Sequence, residues 1–285
     1  MFKKILLCLL MVGGILTVAE ARVAANLKMN RFVYMQYDTV LTKIAIRNDS
    51  GRPLVFGTDE KLKGEVIFIV EDVASGRRLK PIPGRRVDLT GTVLQAGESK
   101  EIVIALSQYF RLNKLGQYRV TAFIRHPSFT QDYQTNDCPF DISNGSLVWT
   151  RTLGVPEYLS ENLPPGATRT YSVRLLKENG INNYYLIIED KKRVYAMYCL
   201  GEALGDEKVS CEVDDSNVHI LFAATTKEKK YIVYSINGKK VMEKYYRTSD
   251  TAPILVRDKE NGLLSVVGGL EVKSLTGYVR DTDEK

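Results

Sequence analysis

The sequence predicts an all-β protein built as two antiparallel units in series. Three observations carry that prediction. Almost no stretch has a helical period; short alternating runs rich in β-branched and aromatic residues take its place. Turn chemistry cuts those runs roughly every 8 to 15 residues. In the back half the runs come in pairs, each pair joined by an acidic or Asn-Gly turn, which is the signature of hairpins in series.

The chain opens with an address. Lys3 and Lys4 precede an apolar run from Ile5 to Val18, and Ala19-Glu20-Ala21 closes it with a small-x-small exit site. By charge, length and exit site, residues 1–21 read as a secretory signal peptide. The run is short for a membrane span and no stop-transfer segment follows, so no transmembrane segment is expected after cleavage. Cys8 does not make a lipoprotein signal, because Leu6 and Leu7 precede it where small residues belong. The mature chain is expected to start near Arg22 in an oxidising space, secreted or periplasmic.

Removing Lys3, Lys4 and Glu20 turns 40 basic and 34 acidic residues into 38 and 33. The excess is confined to the front: residues 22–146 carry 18 basic and 13 acidic residues, whereas residues 147–285 carry 20 of each. An anionic partner should therefore meet the front half first. The excess is too thin for nucleic-acid binding, which wants a dense basic stripe interleaved with exposed aromatics.

Residues 22–146 hold six runs: Arg31–Gln36, Val40–Asn48, Val66–Asp72, Lys100–Leu106, Tyr118–Arg125 and one around Phe140–Ile142. Asp49-Ser50-Gly51-Arg52-Pro53 and Ala74-Ser75-Gly76 supply turns between them. Alternation puts Val40, Thr42, Ile44 and Ile46 on one face. Six or seven strands in this length predict an antiparallel β-sandwich. Further on, Leu94-Gln95-Ala96-Gly97-Glu98-Ser99 leads into Ile102-Val103-Ile104, a crossover follows, and then comes Gly116-Gln117-Tyr118-Arg119-Val120. That order suits a chain crossing between two sheets, with Tyr118 as a tyrosine corner. These residues, over about 26–145, resemble the Ig-like accessory domains of exported bacterial proteins and the non-catalytic Ig-like domain of the bacterial proteinase-inhibitor family. The resemblance implies an Ig-like β-sandwich. No cysteine pair spans the two sheets and Trp149 lies outside the region, so a true immunoglobulin domain is not implied.

Gly145 and the stretch Val155–Ala167, with Pro156, Pro164, Pro165 and Gly166, read as a connector that Leu159 and Leu163 help to pack. Trp149 is read as core or interface packing. Residues 147–285 then predict four hairpins: Asn182–Glu189 with Arg193–Leu200, Val209–Val213 with Val218–Ala223, Lys230–Ser235 with Lys240–Tyr246, and Ile254–Arg257 with Leu263–Gly268. The rhythm resembles β-propeller blades, but only about two blades' worth of chain is present and a closed propeller usually needs about four. The expectation is an antiparallel β-meander, partial-propeller-like, which is a lone sheet, a small sandwich or a unit completed by a second chain, with a polar tail at 280–285.

The mature chain has three cysteines with no zinc spacing and no CxxC. In an oxidising space the natural pair is Cys199 with Cys211, stapling a hairpin for roughly 3 kcal/mol in the chain-entropy picture; the alternative is three small buried hydrophobes. His126 and His219 are the only histidines, one per half, so no histidine-built metal site is expected and no cofactor is called for. No G-x-S-x-G occurs. Asp214 with Asp215, Glu189 with Asp190, and Asp258 with Glu260 are paired carboxylates, but each pair falls in a predicted turn, where Asp bonds the backbone. Asn48-Asp49-Ser50 and Asn144-Gly145-Ser146 match glycosylation acceptors, relevant only to a eukaryotic route.

One charged feature remains: Arg77, Arg78, Lys80, Arg85 and Arg86, five basic residues in ten on a segment stiffened by Pro81 and Pro83. It is a candidate surface for an anionic ligand, such as lipid head groups or acidic polysaccharide, at a low ordering cost. The plainer alternative is a solvated connection whose charges guard a sheet edge. The function expected is non-catalytic binding or structural support in the cell envelope or outside the cell. The partner would be a protein or polysaccharide of the envelope, with self-association open. The alternative is protease inhibition through an exposed loop, Arg77–Arg86 or Pro127–Pro139.

Overall fold

A computed structural model describes residues 23–155, 166–204, 207–214 and 217–272. The signal peptide expected at 1–21, the proline-rich part of the connector (156–165) and the polar tail lie outside the described residues. Every sheet is antiparallel. The one helical element among the described residues is a short 3-10 turn, Leu106–Gln108. Among those residues no helix is long and apolar enough to cross a membrane. The described chain divides into two compact units, 23–32 with 39–142, and 33–38 with 143–272.

In the first unit, one sheet has the order Val23–Met29, Leu41–Asn48, Ser99–Ala105. A second includes Cys138–Ser143, Gly116–Arg125, Glu65–Asp72 and Arg77–Arg78 in that order, and Leu54–Phe56 pairs with Thr92–Leu94 as a small third sheet. Those are the strand neighbourhoods of an Ig-like sandwich, in which the first, second and fifth strands share one sheet and the third, sixth and seventh the other. Alternation decides what each strand buries. Val40, Thr42, Ile44 and Ile46 all point inward, as do Val66, Phe68 and Val70, and Tyr118, Val120, Ala122 and Ile124. Tyr118 lies at the start of its strand with its ring 3 % exposed, and its hydroxyl donates to the Lys114 carbonyl at 2.9 Å. That is the tyrosine-corner geometry read from Gly116-Gln117-Tyr118. Asn48 sits fully buried at the end of its strand, and its amide donates to the carbonyls of Arg52, Leu94 and Gln95. A burial so complete removes Asn48 as a glycan acceptor.

The second unit contains two consecutive meanders. Ser146–Gly154, Thr168–Glu178, Ile181–Glu189 and Val194–Glu202 form one; Ser210–Val213, Asn217–Ala223, Glu228–Ser235 and Lys240–Arg247, edged by Leu270–Val272, form the other. A single apolar cluster draws on both, with Tyr171, Val173, Leu186 and Ile188 from the first meander and Val218, Ile220, Phe222 and Ile232 from the second. The unit is thus a small two-sheet sandwich, and Trp149 packs against this cluster. The fourth hairpin, Ile254–Arg257 with Leu264–Val267, is a separate two-stranded sheet whose Leu255 and Val266 pack on Leu221, Tyr231 and Val233.

The expected Cys199–Cys211 staple is not formed: Cys138, Cys199 and Cys211 are each free. The reason is topological. Cys199 and Cys211 lie on strands of different sheets rather than on one hairpin. Cys199 faces solvent, and Cys211 is in the shared core, where burial holds its thiol far above the ordinary range. Cys138 is also buried and donates to the Leu27 carbonyl at 3.0 Å.

Candidate functional site

The strand Glu65–Asp72 pairs with Gly116–Arg125 along its whole length. Its other edge is covered only at the two ends. Arg77 and Arg78 stand opposite Asp72 and Glu71, the Leu79 N–H donates to the Val70 carbonyl at 2.8 Å, and Val87 and Asp88 return opposite Val66 and Glu65. Continuing the register places Pro81 opposite Phe68. A proline has no N–H to give, so the ladder stops there. The segment swings outward instead, and its backbone is tied elsewhere. Pro81 bridges Phe110, the Ile82 N–H donates to the Tyr109 carbonyl at 2.7 Å, and Arg85 Nη1 donates to the Gln108 carbonyl at 2.8 Å. Gly84 supplies the left-handed residue of the turn, at φ +76°.

Between this strap and the sheet edge lies a cleft of about 470 Å³. Ile67, Phe68, Pro81, Ile82, Tyr109 and Phe110 give it apolar walls, and Arg85, Arg86, Arg125 and Glu65 give it charge. Arg125 ends its strand with Nη2 2.9 Å from Asp132 and Nη1 3.3 Å from Glu65. Hydrogen bonding to Asp132, its charge, and then Glu65 raise the arginine above its usual range. Arg86 lies 3.8 Å from the same Glu65 and is 81 % exposed. Three guanidiniums and one carboxylate thus share the lining, and with Asp132 offsetting Arg125 from outside it the site keeps a small positive balance.

The five predicted basic residues therefore split. Arg85 and Arg86 line the cleft; Arg77, Arg78 and Lys80 are exposed outside its lining and form no ion pair among the described residues. Sequence reasoning missed Arg125, Glu65, Tyr109 and Phe110, because only the folded sheet brings them beside the strap.

The remaining candidates are tied into structure. His126 is 4 % exposed. Its Nε2 donates to the Val55 carbonyl at 3.0 Å and its Nδ1 accepts the Ser128 N–H at 3.1 Å, so it caps from inside. His219 is 5 % exposed, with Nε2 donating to Asp214 at 2.7 Å and Nδ1 accepting the Tyr231 hydroxyl at 2.6 Å. Burial, then Tyr246 and Asp214, push the Tyr231 hydroxyl up to about 12. An Asp–His–Tyr relay so arranged keeps its hydroxyl protonated and its imidazole buried. The turn carboxylates bond backbone as expected: Asp190 accepts from Lys192 and Arg193, and Asp258 from Glu260 and Asn261. Asp214 accepts the Asn217 N–H, and Asp215 lies outside the described residues. Among the described residues no group of three or more His, Cys, Asp or Glu is placed to hold a metal.

No family model matches the chain, and no curated protein sequence matches it either. Solved structures similar to it include the E. coli chaperone DraB, at 10 % identity over 77 % of this chain and 96 % of that one, with a TM-score of 0.23. Another is the CsuC–CsuE chaperone–tip adhesion subunit pre-assembly complex from archaic chaperone-usher Csu pili of Acinetobacter baumannii, at 11 % identity over 74 % and 97 %, with a TM-score of 0.25. Overlays this loose carry no argument, and the reading of the site rests on its own residues.

Proposed function

We propose that this chain is an exported, non-catalytic binding protein of the cell envelope or extracellular space, and that its ligand presents an anionic group to Arg85 and Arg86 in the cleft of the first unit. The carrying observation is the cleft itself: two prolines hold a strap off a sheet edge, and the opening is lined by three arginines against one glutamate. The lysine-led apolar run ending in Ala19-Glu20-Ala21 supports the location, and the uneven charge of the two halves supports the choice of unit.

The protease-inhibitor alternative finds no support. An inhibitory loop must offer free extended backbone to a protease, whereas Leu79, Ile82 and Arg85 spend theirs on Val70, Tyr109 and Ile82. The Pro127–Pro139 stretch is equally engaged: the Phe129 ring packs tilted against His126 and edge-on to Tyr133, and the Asn136 side chain exchanges two hydrogen bonds with Leu27.

The test is retention on heparin and on phosphatidylglycerol vesicles as salt is raised. Retention should weaken with salt, and Arg85→Ala with Arg86→Ala should reduce it about fivefold to tenfold, the worth of two partly exposed ionic contacts at roughly 0.5–0.7 kcal/mol each. Salt-insensitive retention, or retention that the double change leaves intact, would refute the proposal.

A further inference from the structure

We infer that the ligand of this cleft is a short acidic peptide segment held extended, one of whose residues pairs with the backbone of Phe68; the inference rests on reading the cleft as a binding site. The Val73 N–H donates to the Gln117 carbonyl, so odd-numbered residues of Glu65–Asp72 direct their peptide groups toward Gly116–Arg125. Even-numbered residues direct theirs to the opposite edge, as the Leu79 bond to the Val70 carbonyl shows. On that edge Val70 meets Leu79 and Val66 meets Val87, while Phe68, between them, has no strand residue paired to it. Its N–H and C=O lie in the wall of the cleft, and Phe68 is among the lining residues.

A neighbouring donor and acceptor at backbone spacing are matched by another backbone residue, which offers the complementary acceptor and donor. The ladder cannot lengthen, because the flanking strands close it above and below, so the ligand contributes one rung and must gain the rest from side chains. Successive side chains of an extended segment point to opposite sides. The lining sets the apolar Ile82, Tyr109 and Phe110 beside the guanidiniums of Arg85, Arg86 and Arg125. The combination selects a segment with an Asp or Glu adjacent to the paired residue. The volume of about 470 Å³ falls within the span of pockets that enclose small ligands.

The experiment uses the full chain labelled with ¹⁵N. It is offered a pool of N-acetylated, C-amidated pentapeptides, randomised except for one fixed Asp or Glu, and a matched pool with Asn or Gln at that position. Polygalacturonate and phosphatidylglycerol vesicles serve as the non-peptide anions. The acidic pool should be retained at least fivefold better than the amide pool, and Arg86→Ala, a change at an exposed side chain, should erase most of that difference. Selected peptide at saturation should slow exchange of the Phe68 amide at least tenfold, and N-methylation of one peptide amide should abolish binding. Peptide binding without protection of Phe68 overturns the inference. Arginine-dependent binding of polygalacturonate or vesicles with no peptide retained overturns it too, while leaving the anionic cleft standing. If no probe binds in an arginine-dependent way, both readings fall.

Discussion

Each unit closes two antiparallel sheets on an apolar interior, but they place their polar groups in opposite ways. In the first, Tyr118 is the only buried tyrosine among the described residues; in the second, Tyr34, Tyr171, Tyr184, Tyr185, Tyr231 and Tyr234 are all buried. Each buried tyrosine brings a hydroxyl that wants a partner inside: Tyr171 donates to the Ile236 carbonyl and Tyr231 to His219. Charges follow the same division. Glu228, 7 % exposed, is gripped by Arg247 through Nε and Nη2, and Glu243 is shared by Lys230 and Lys240. In the first unit Arg77, Arg78 and Lys80 are left to solvent and Arg86 reaches only 3.8 Å from Glu65. Among the described residues six basic side chains of the back half are ion-paired to carboxylates, whereas the strap of the front half keeps its five with no carboxylate closer than 3.8 Å.

If the second unit is as tightly packed as its polar content allows, removing an apolar ring from it should be severe. Phe222, 2 % exposed and edge-on to Tyr184, is the place to ask. Phe222→Ala should cost about 3–5 kcal/mol in urea unfolding. A loss below about 1 kcal/mol would mean that the tyrosine-rich interior is loose enough to collapse into the gap, and the contrast in packing would fail.

In the first unit the heaviest polar duty falls on one residue. The Asn48 amide meets three carbonyls, and its Oδ1 accepts from the Ser50 N–H and hydroxyl. Asn48→Ala strands those carbonyls in a buried corner and should cost about 2–3 kcal/mol by the same unfolding measurement. A change within about 0.5 kcal/mol would show that water replaces the amide and that this interior is less dry than its aliphatic faces imply.

The same physics explains what could be read in advance. Runs such as Val40–Asn48 and Tyr118–Arg125 were legible because alternation records which face is wet. Thr168–Glu178 was missed: its inward face is headed by Arg169, 9 % exposed, and Ser172 is buried on the other face, so polar residues stand where apolar ones mark a strand. Arg169 is tolerated there by stacking on the Tyr195 ring at 4.2 Å and donating to the Ile236 carbonyl. Ser146–Gly154 is an exposed edge with no apolar period to find. Of the cleft, the basic strap and its prolines were visible as composition, but the wall opposite comes from Glu65–Phe68, Tyr109, Phe110 and Arg125, and no local pattern encodes that meeting. Likewise the Cys199–Cys211 spacing fitted a hairpin only while the boundary between the two meanders was unknown.

The smallest effect separates internal from external pairing by pH. Burial alone would raise the Glu243 carboxyl, but hydrogen bonds from Lys240, Tyr245 and Lys230 outweigh it and bring the group down to about 2. A carboxyl depressed on folding stabilises the native state above its unfolded pKa, near the ordinary value of 4.5, and the contribution fades as pH falls toward 2. Glu243→Gln should therefore lose about 1–2 kcal/mol at pH 7, discounted for its partial exposure, and the gap from the parent should close through that acid window. The counterpart in the first unit is Glu101, 2.9 Å from Lys43 with both side chains largely in solvent. Glu101→Gln should stay within about 0.5 kcal/mol at every pH. Equal losses for the two changes would erase the distinction, because the network around Glu243 would then be worth no more than a solvated surface pair.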